Sequence, residues 1–470
     1  MKDLKTLFRT ITVLTVALIA AGILSAYKTD LKGAVRADSI ILSAEEDGDT
    51  DDQTVLNGFV NDGGETFYYR DGEKVTGWVQ DGSDKYYFYR SGKTTGGAAH
   101  TKGAMATGWQ TIDGERFYFY MSSTTTSGEG HNKGAMATGW QNINGEKFYF
   151  YQSSKTTSGS VHSKGAMATG WQKIEDQKFF FYRSSKTASG KAHTKGAMVT
   201  GWQTIDGENY YFYKSSKTSS GTAHRKGAMA TGWQTISKEK YYFYPSATST
   251  RKSGVMAKGA INISNKGYIF DESGKLIMSN MKGWYKVGED YYYCDRKSGK
   301  LFKNDTANGI YLRNDGKAQL TDFAKEKIPV MIRSREIVAE ITNKNDTLTQ
   351  KKWKCYKYVA KFPYIYKDAP IGDHIKAKDY ACWDAHYANN ILNAYGDQKT
   401  CGGECCAQSV ALGYLFTELN FGTVTFHTSY THGWIEVNGL CYDTLFIKSR
   451  GMDWWEMKRY PATPSYSAVI

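Results

Sequence analysis

The stretch HTKGAMATGWQTIDGERFYFY, residues 100–120, decides the fold of most of this chain. It returns with small changes from His131, His162, His193 and His224. A fixed period of this length is typical of a repeat architecture in which each copy is one supersecondary unit. The tryptophan of each Gly-Trp pair recurs every 31 residues, at Trp78, Trp109, Trp140, Trp171, Trp202 and Trp233.

Each copy predicts a β-hairpin. Its strands are GWQTI and ERFYFY, and Asp113-Gly114 lies between them. Asn144-Gly145 holds the same place in the next copy, and such pairs accept the positive φ of a tight turn. A single hairpin is marginally stable in water, so neighbouring copies must stack. Because FYFY is aromatic on both strand faces, we expect one face to pack on the next repeat and the other to meet ligand or solvent.

The Gly-Trp pair, the turn, the aromatic strand and the preceding KGAMATGW resemble the choline-binding and related cell-wall-binding repeats of Gram-positive surface proteins. The resemblance covers residues 57–317, in which residues 245–317 are shorter, divergent terminal copies. It implies a β-hairpin repeat solenoid that binds choline on teichoic acid, through cation–π cages, or a glucan-like polysaccharide. The implied ligand-binding residues are Trp78, Trp109, Trp140, Trp171, Trp202, Trp233, Tyr118, Tyr149 and Tyr211.

Two features of the repeats leave alternatives open. The copies carry a long Ser/Thr/Gly/Lys insert that the family's shorter units lack, so choline and a glucan both remain candidate ligands. The aromatic residues also fit a purely structural role in packing the stack. The one histidine of each copy is expected at a solvated or turn position and not as a metal ligand.

The N-terminal residues 1–37 predict a signal peptide. Three cationic residues precede the apolar run 11–24, and cleavage is expected after Ala26 or Ala37. The alternative is an uncleaved anchor, although the run is short for a bilayer span. We therefore expect a secreted, cell-wall-associated protein with no stable membrane span after signal cleavage. Residues 38–56 are acidic and predict a flexible leader.

The composition narrows the classes of molecule that this protein is expected to bind. The net charge of +13 favours an anionic partner, and for a secreted chain a wall polymer fits better than nucleic acid. The sequence contains no Gly-rich phosphate loop, no run of metal-binding carboxylates and no DNA-reading module. We predict neither a cofactor nor a metal.

The composition changes near residue 318, and residues 318–470 predict one α+β core. Apolar residues at helical spacing include Ile337 and Ile341 in one segment and Trp383 and Tyr387 in another. A third helix is predicted after the turn in CGGECC, residues 401–406. Glu404, Cys405 and Cys406 would then lie in or just before its first turn, where the helix dipole favours a thiolate.

A hairpin completes the candidate site. Asn438-Gly439 predicts a tight turn that pairs Ile435 with Tyr442 and makes His432 the diagonal neighbour of Asp443. Side chains at such positions, about 6–8 Å apart at Cβ, can hydrogen-bond. A thiolate at a helix start and a His oriented by an Asp form a nucleophilic site, in which His deprotonates the thiol.

These motifs resemble those of the transglutaminase-like superfamily. Gly403-Glu404-Cys405 matches the nucleophile motif, His432-Gly433-Trp434 the base motif and Tyr442-Asp443 the acid motif. The resemblance implies a papain-like α+β fold and thioester chemistry on amide bonds of a protein or peptide substrate. Either peptidase or cross-linking activity would follow, and the alternative is an inactive module that leaves a non-catalytic wall-binding protein.

The cysteines permit other interpretations. Cys406 is a second candidate nucleophile, although the Gly-x-Cys motif favours Cys405. Cys401, Cys405, His427 and His432 imitate a zinc-binding pattern. Disulfides are a third alternative, and with seven cysteines at least one thiol stays free.

Overall fold

The computed structural model describes most of the chain from residue 55 onward. The predicted signal peptide, residues 1–37, and all but the last two residues of the leader lie outside the described part. None of the helices in the described part combines the length and the hydrophobicity of a transmembrane span. The described residues are 55–93, 97–124, 130–155, 161–186, 190, 192–217, 223–368, 371, 381–429, 431–445 and 454–470.

Antiparallel hairpins form the first part of the fold. Most are two-stranded, and a third strand joins the hairpins β1-β2 and β16-β17. Their strands are β1 Gly58–Asp62, β2 Glu65–Arg70, β3 Glu73–Lys74, β4 Gly77–Asp81, β5 Asp84–Phe88, β6 Gly108–Ile112, β7 Glu115–Phe119, β8 Gly139–Ile143, β9 Glu146–Phe150, β10 Gly170–Ile174, β11 Gln177–Phe181, β12 Gly201–Ile205, β13 Glu208–Phe212, β14 Gly232–Ile236, β15 Glu239–Phe243, β16 Gly259–Ile263, β17 Lys266–Phe270, β18 Leu276–Met278, β19 Gly283–Val287, β20 Asp290–Cys294, β21 Asp305–Ala307 and β22 Ile310–Leu312.

The predicted turns form as expected. Ile112 pairs with Glu115, so Asp113 and Gly114 are the two residues of the loop. Their φ angles are 51° and 82°, both in the left-handed region. Asp and Gly accept this conformation more readily than other residues, which explains why the pair marks the hairpin in the sequence.

The KGAM segment connects successive hairpins. Met136 forms a β-bridge with Phe119 of the hairpin before it, and its N–H donates to the Lys85 carbonyl, one hairpin further back, at 2.8 Å. Its sulfur lies against Gly165 of the following copy, where a Cβ would stand only 2.3 Å from it. A glycine is therefore required at this point of the repeat, both for space and for its φ of 82°.

Aromatic contacts stack the hairpins. Trp109 packs edge-on against Tyr118 of its own hairpin, with ring centroids 5.2 Å apart. The same tryptophan contacts Phe148 and Phe150 of the next hairpin at 5.1 and 5.8 Å. Phe150 is fully buried by this contact. Both aromatic faces of the hairpin therefore take part in packing, whereas the sequence predicted this for one face only.

The chain divides into two compact units. Of the described residues, the first unit contains those up to 201 together with 212–217 and 223–229, and the second contains 202–211 and those from 230 onward. The second unit therefore holds the last hairpins together with all of the C-terminal region.

The C-terminal region is an α+β structure, as predicted. Its sheet is antiparallel, in the order β26-β25-β24-β23-β27. Gly413 allows the last helix to lie on this sheet, because a Cβ there would stand 2.4 Å from Ile470 Cδ1. The elements are α1 Asp322–Ile341, α2 Leu348–Ala360, α3 Trp383–Leu392, α4 Cys405–Leu419, β23 Val424–Thr428, β24 Gly433–Val437, β25 Leu440–Asp443, β26 Trp454–Met457 and β27 Tyr466–Val469.

The last hairpins share a hydrophobic core with these helices. Trp284, Tyr293 and Leu312 belong to the same buried cluster as Ile328 of α1 and Leu415 of α4. Trp284 is only 1% exposed, and its indole N–H donates to Asn308 Oδ1 at 3.0 Å. Residues on both sides of the predicted domain boundary at 317 thus contribute to one core.

A buried ion pair reinforces this junction. Arg296, which follows β20, donates through Nε and Nη2 to the two carboxylate oxygens of Glu418 in α4, at 3.3 and 2.5 Å. The two side chains are 9% and 5% exposed. Both charges are shielded from water, which costs desolvation free energy. Their two charge-assisted hydrogen bonds to each other offset that cost.

We expect Glu418→Ala to lower the free energy of unfolding by about 3–5 kcal/mol, because it leaves the buried Arg296 guanidinium without a counter-charge. The Tyr293 hydroxyl, which accepts a hydrogen bond from Arg296 Nη1 at 3.2 Å, does not replace the lost negative charge. Chemical denaturation of the full-length protein measures this difference. The matched control is Glu289→Ala, which breaks the exposed pair with Lys286 and should cost less than about 1 kcal/mol. Equal effects of the two substitutions would contradict the role assigned to the buried pair.

Candidate functional site

The start of α4 carries the candidate nucleophile. Glu404 is the N-cap of this helix, and its Oε1 accepts a hydrogen bond from the Ala407 N–H at 3.2 Å. Cys405 is therefore the first helical residue, next to unpaired amides and the positive end of the helix dipole. Its side chain is buried, with 8% exposed.

The neighbouring hairpin brings His432 and Asp443 together. Ile435 pairs with Tyr442 and Val437 with Leu440, which is the predicted register. His432 Nε2 donates to Asp443 Oδ2 at 2.6 Å. The ring also hydrogen-bonds the Cys405 sulfur. The three residues named from the sequence thus form one connected group.

Asp443 accepts hydrogen bonds from two further groups besides His432. The Tyr460 hydroxyl donates to Asp443 Oδ2 at 2.6 Å, and the Leu445 N–H donates to Oδ1 at 2.9 Å. Tyr460 also stacks on Trp434 with ring centroids 3.9 Å apart. Tyr460 lies in no sequence motif and reaches the site only through the tertiary fold, so no pattern in the sequence indicated it.

The electrostatics favour a thiolate–imidazolium pair. A hydrogen bond from Cys406 lowers the pKa of Cys405 to about 5, against the opposing effect of burial and with further support from His432. Burial lowers the pKa of His432, but hydrogen bonds to Asp443 and Cys405 outweigh it and raise the pKa to about 9. At neutral pH the sulfur is therefore negative and the imidazole positive.

Cys406 has a different environment. Its sulfur stands 3.1 Å from the place that a Cβ on Gly433 would occupy, so it lies under the hairpin. The hydrogen bond to Cys405, together with burial, raises its pKa far above the ordinary value. Cys406 therefore stays a neutral thiol that donates to the Cys405 thiolate.

Glu404 adds a second unusual group beside the sulfur. It is only 7% exposed, and its Oε2 has no hydrogen-bond partner among the described residues. Burial raises its pKa to about 7. A carboxyl group that is only about half ionised at pH 7 adds less negative charge next to the thiolate than an ordinary glutamate does.

The alternative roles of the cysteines find no support in the geometry. All seven are free thiols. His427, which the zinc pattern requires, instead hydrogen-bonds through Nδ1 to Ser467 Oγ at 2.6 Å. In the described part of the chain, no three His, Cys, Asp or Glu side chains converge on a metal position.

The tryptophans named from the repeats lie in similar places. Each pairs across its hairpin with an aromatic residue, at centroid distances of 5.1–5.2 Å. Trp78, Trp109, Trp140 and Trp171 are half-buried. Trp202 and Trp233 are 40% and 41% exposed. Tyr118, Tyr149 and Tyr211 are the cross-strand partners of Trp109, Trp140 and Trp202.

A cavity of about 290 Å³ opens beside Trp140. Trp140, Tyr149 and Tyr151 line it, together with His162 and Gln172. Gln172 donates to the Tyr151 hydroxyl at 2.8 Å, which fixes one wall. Rings with a few polar groups are the usual lining of a small-molecule site.

The repeating histidines, for which the sequence predicted a solvated or turn position, are half-buried residues that precede a turn. His162 stacks on Tyr151 with ring centroids 3.4 Å apart and an angle of 16°. Both of its ring nitrogens are buried and have no partner within the described residues. The same stack joins His100 to Tyr89 at 3.6 Å. Ring stacking, not hydration, therefore determines the position of these side chains.

The chain's own cations cover several of the tryptophan rings. They come from the position seven residues after the tryptophan, on the second strand of the hairpin. The distances from cation to ring centroid are 4.4 Å for Lys85 over Trp78, 4.2 Å for Arg116 over Trp109 and 4.8 Å for Lys147 over Trp140.

Comparison with known proteins identifies the repeats. Five stretches match the family model described as "Putative cell wall binding repeat", and the chain therefore contains choline-binding-type, cell-wall-binding repeats. No curated protein matches the chain. The matched residues are 76–93, 107–120, 138–153, 200–216 and 231–246.

Solved structures from Streptococcus pneumoniae are similar to part of the chain. Choline binding protein F has 21% identity over 56% of this chain and 93% of its own, with a TM-score of 0.28. The modular autolysin LytC has 20% identity over 52% of each chain, with a TM-score of 0.19. The choline-binding domain of CbpL has 21% identity over 46% of this chain and 87% of its own, with a TM-score of 0.21. Likeness at this level does not extend to function.

We expect Cys405 to react with iodoacetamide in proportion to its thiolate, with a half-maximal rate near pH 5 because its pKa is about 5. An ordinary cysteine is only about 0.3% thiolate at pH 6. Mass spectrometry of the alkylated full-length protein over pH 4–9 measures the profile, and Cys401 serves as the internal comparison. His432→Ala should move the midpoint upward, and a midpoint near pH 9 in the unsubstituted protein would refute the ion pair.

Proposed function

We propose that the repeats hold this protein on a polymer of the Gram-positive cell wall. The observation that carries the proposal is the match of five hairpins to the cell-wall-binding repeat. The cavity beside Trp140 and the exposed rings of Trp202 and Trp233 supply surfaces on which a polymer substituent can bind. The net charge of +13 favours an anionic polymer.

Choline on teichoic acid is the ligand that these surfaces favour. Lys85, Arg116 and Lys147 lie over tryptophan rings, so these rings are placed to attract a cation. A quaternary ammonium uses the same attraction and gives up little hydration when it binds. The positive charge of the chain then meets the phosphates of the same polymer.

The full-length protein should be retained on purified choline-containing cell walls and be eluted by choline chloride. Retention of Trp202→Ala/Trp233→Ala should fall about tenfold, because two exposed rings are lost. The measurement is the bound fraction after sedimentation of the walls. Elution by dextran and not by choline would assign a glucan ligand, and no retention at all would refute wall binding.

The second candidate function is that of a thiol enzyme in the C-terminal region, and Cys405, His432 and Asp443 support it. Their hydrogen bonds and the low pKa of Cys405 are those of an activated nucleophile. The helix that begins at Cys405 and packs on an antiparallel sheet fits the transglutaminase-like architecture. Secretion from the cell through a cleaved signal peptide, and an amide-containing protein or peptide substrate, belong to the same proposal.

The arrangement supports acyl transfer through a thioester. The Cys405 thiolate attacks the amide carbon, and the oxyanion forms near the positive end of the α4 dipole. The His432 imidazolium gives its proton to the departing amine, and a thioester remains on sulfur. Water or a second amine then attacks, His432 takes its proton, and the thiolate leaves the acyl group. Asp443 and Tyr460 keep the imidazole in place throughout.

Cys405→Ala should abolish turnover by more than about a thousandfold, because the covalent step is lost. Cys406→Ala should keep at least a tenth of the activity, since Cys406 only donates a hydrogen bond. Incubation with casein and a fluorescent primary amine measures cross-linking, and new amino termini measure hydrolysis. Cys441→Ala is the control for loss of a buried thiol elsewhere.

If the unsubstituted protein neither turns over substrate nor gives a Cys405-specific adduct, the enzyme proposal fails. The C-terminal region would then be an inactive module of a wall-binding protein.

A further inference from the structure

One position of the repeat differs between copies in charge. In the copies around Trp78 to Trp233 it is the seventh residue after the tryptophan, on the second strand. Five of the six residues there are cationic, and Asn209 alone is neutral. They are Lys85, Arg116, Lys147, Lys178, Asn209 and Lys240.

Asn209 faces a different partner from the cations of other copies. Its Oδ1 accepts a hydrogen bond from the Thr204 hydroxyl at 2.8 Å across the hairpin. Among the residues that the structure describes, none places a cation over the Trp202 ring. The copies with Lys85, Arg116 and Lys147, by contrast, each carry their own cation on the tryptophan.

Trp202 nevertheless keeps its aromatic surroundings. Tyr211, Tyr241 and Phe243 lie at centroid distances of 5.2, 4.9 and 5.7 Å from it. The ring is 40% exposed. The fifth copy therefore presents a group of aromatic residues to solvent without an internal cation.

We propose that Asn209 makes the fifth copy the preferred site for an external quaternary ammonium, which occupies the place that Lys85, Arg116 and Lys147 take in three other copies. This inference rests on the proposed wall binding and names the residue that selects the binding repeat. A quaternary ammonium suits the site because it is bulky and weakly hydrated, and because aromatic faces attract it without a hydrogen-bond acceptor. Small, strongly hydrated cations would lose more hydration free energy on binding than the cation–π attraction of these rings supplies.

The sixth copy provides a matched comparison. Trp233 is 41% exposed and contacts Tyr242, Tyr268 and Phe270 at 5.2, 4.9 and 5.8 Å. It differs from the fifth copy in having Lys240. Among the described residues no cation lies over the Trp233 ring either, so the two copies differ in charge alone. The positive charge of Lys240 on the adjacent strand repels an incoming cation, and Trp233 should therefore bind it more weakly.

Isothermal titration of the full-length protein with choline chloride tests the inference, with ammonium chloride at equal ionic strength as the reference. Asn209→Lys should weaken the tightest site about tenfold. Asn209→Gln, which stays neutral, should leave it unchanged, and Lys240→Asn should add a second tight site. The fold should tolerate Asn209→Lys, because other copies carry Lys at this position.

Unchanged choline binding by Asn209→Lys would overturn the inference, as would equal binding of ammonium. Wall retention measured in parallel separates this result from the wider function. If the protein is retained on walls and Asn209→Lys leaves the choline titration unchanged, only the role assigned to Asn209 is refuted. Absence of both retention and choline binding in the unsubstituted protein removes wall binding itself.

Discussion

The contact of a tryptophan with the aromatic strand of the next hairpin is the constraint on which the repeat region depends. A two-stranded hairpin of this length cannot bury enough apolar surface alone, so each copy relies on its neighbour. Trp109 lies between Tyr118 of its own copy and Phe148 of the next, and the same arrangement recurs around Trp140. Packing and binding therefore compete for the same rings, and only the less buried ones remain open to a ligand.

The last hairpins meet this constraint differently. Trp284 lies in one buried cluster with Ile310 and Leu312 of the last hairpin, β21-β22, and with residues of the helical region. Arg296 and Glu418 join the same two parts, and Glu418 lies near the end of the helix whose first residue is Cys405. The C-terminal region therefore completes the stack, while the terminal hairpins help to hold the helix that carries the thiolate.

Burial also sets the charges of the candidate site. Each group there is buried, yet its charge state depends on the group to which it is hydrogen-bonded. Cys405 and His432 stabilise opposite charges on one another, Cys406 is left as the neutral donor, and Glu404 has its pKa raised to about 7. Tyr460 and the Leu445 N–H satisfy Asp443, so its charge stays compensated although only 1% of the residue is exposed.

The sequence by itself determined the features that depend on local chemistry and period. The repeat length, the Asp-Gly and Asn-Gly turns, a helix that begins near Cys405 and the hairpin register that joins His432 to Asp443 all follow from residues close in the chain. The tertiary structure alone decided what covers each side chain. Tyr460 reaches Asp443, His162 stacks on Tyr151, and both faces of the hairpins are packed. These contacts depend on which segments meet across the fold, and no local pattern encodes that.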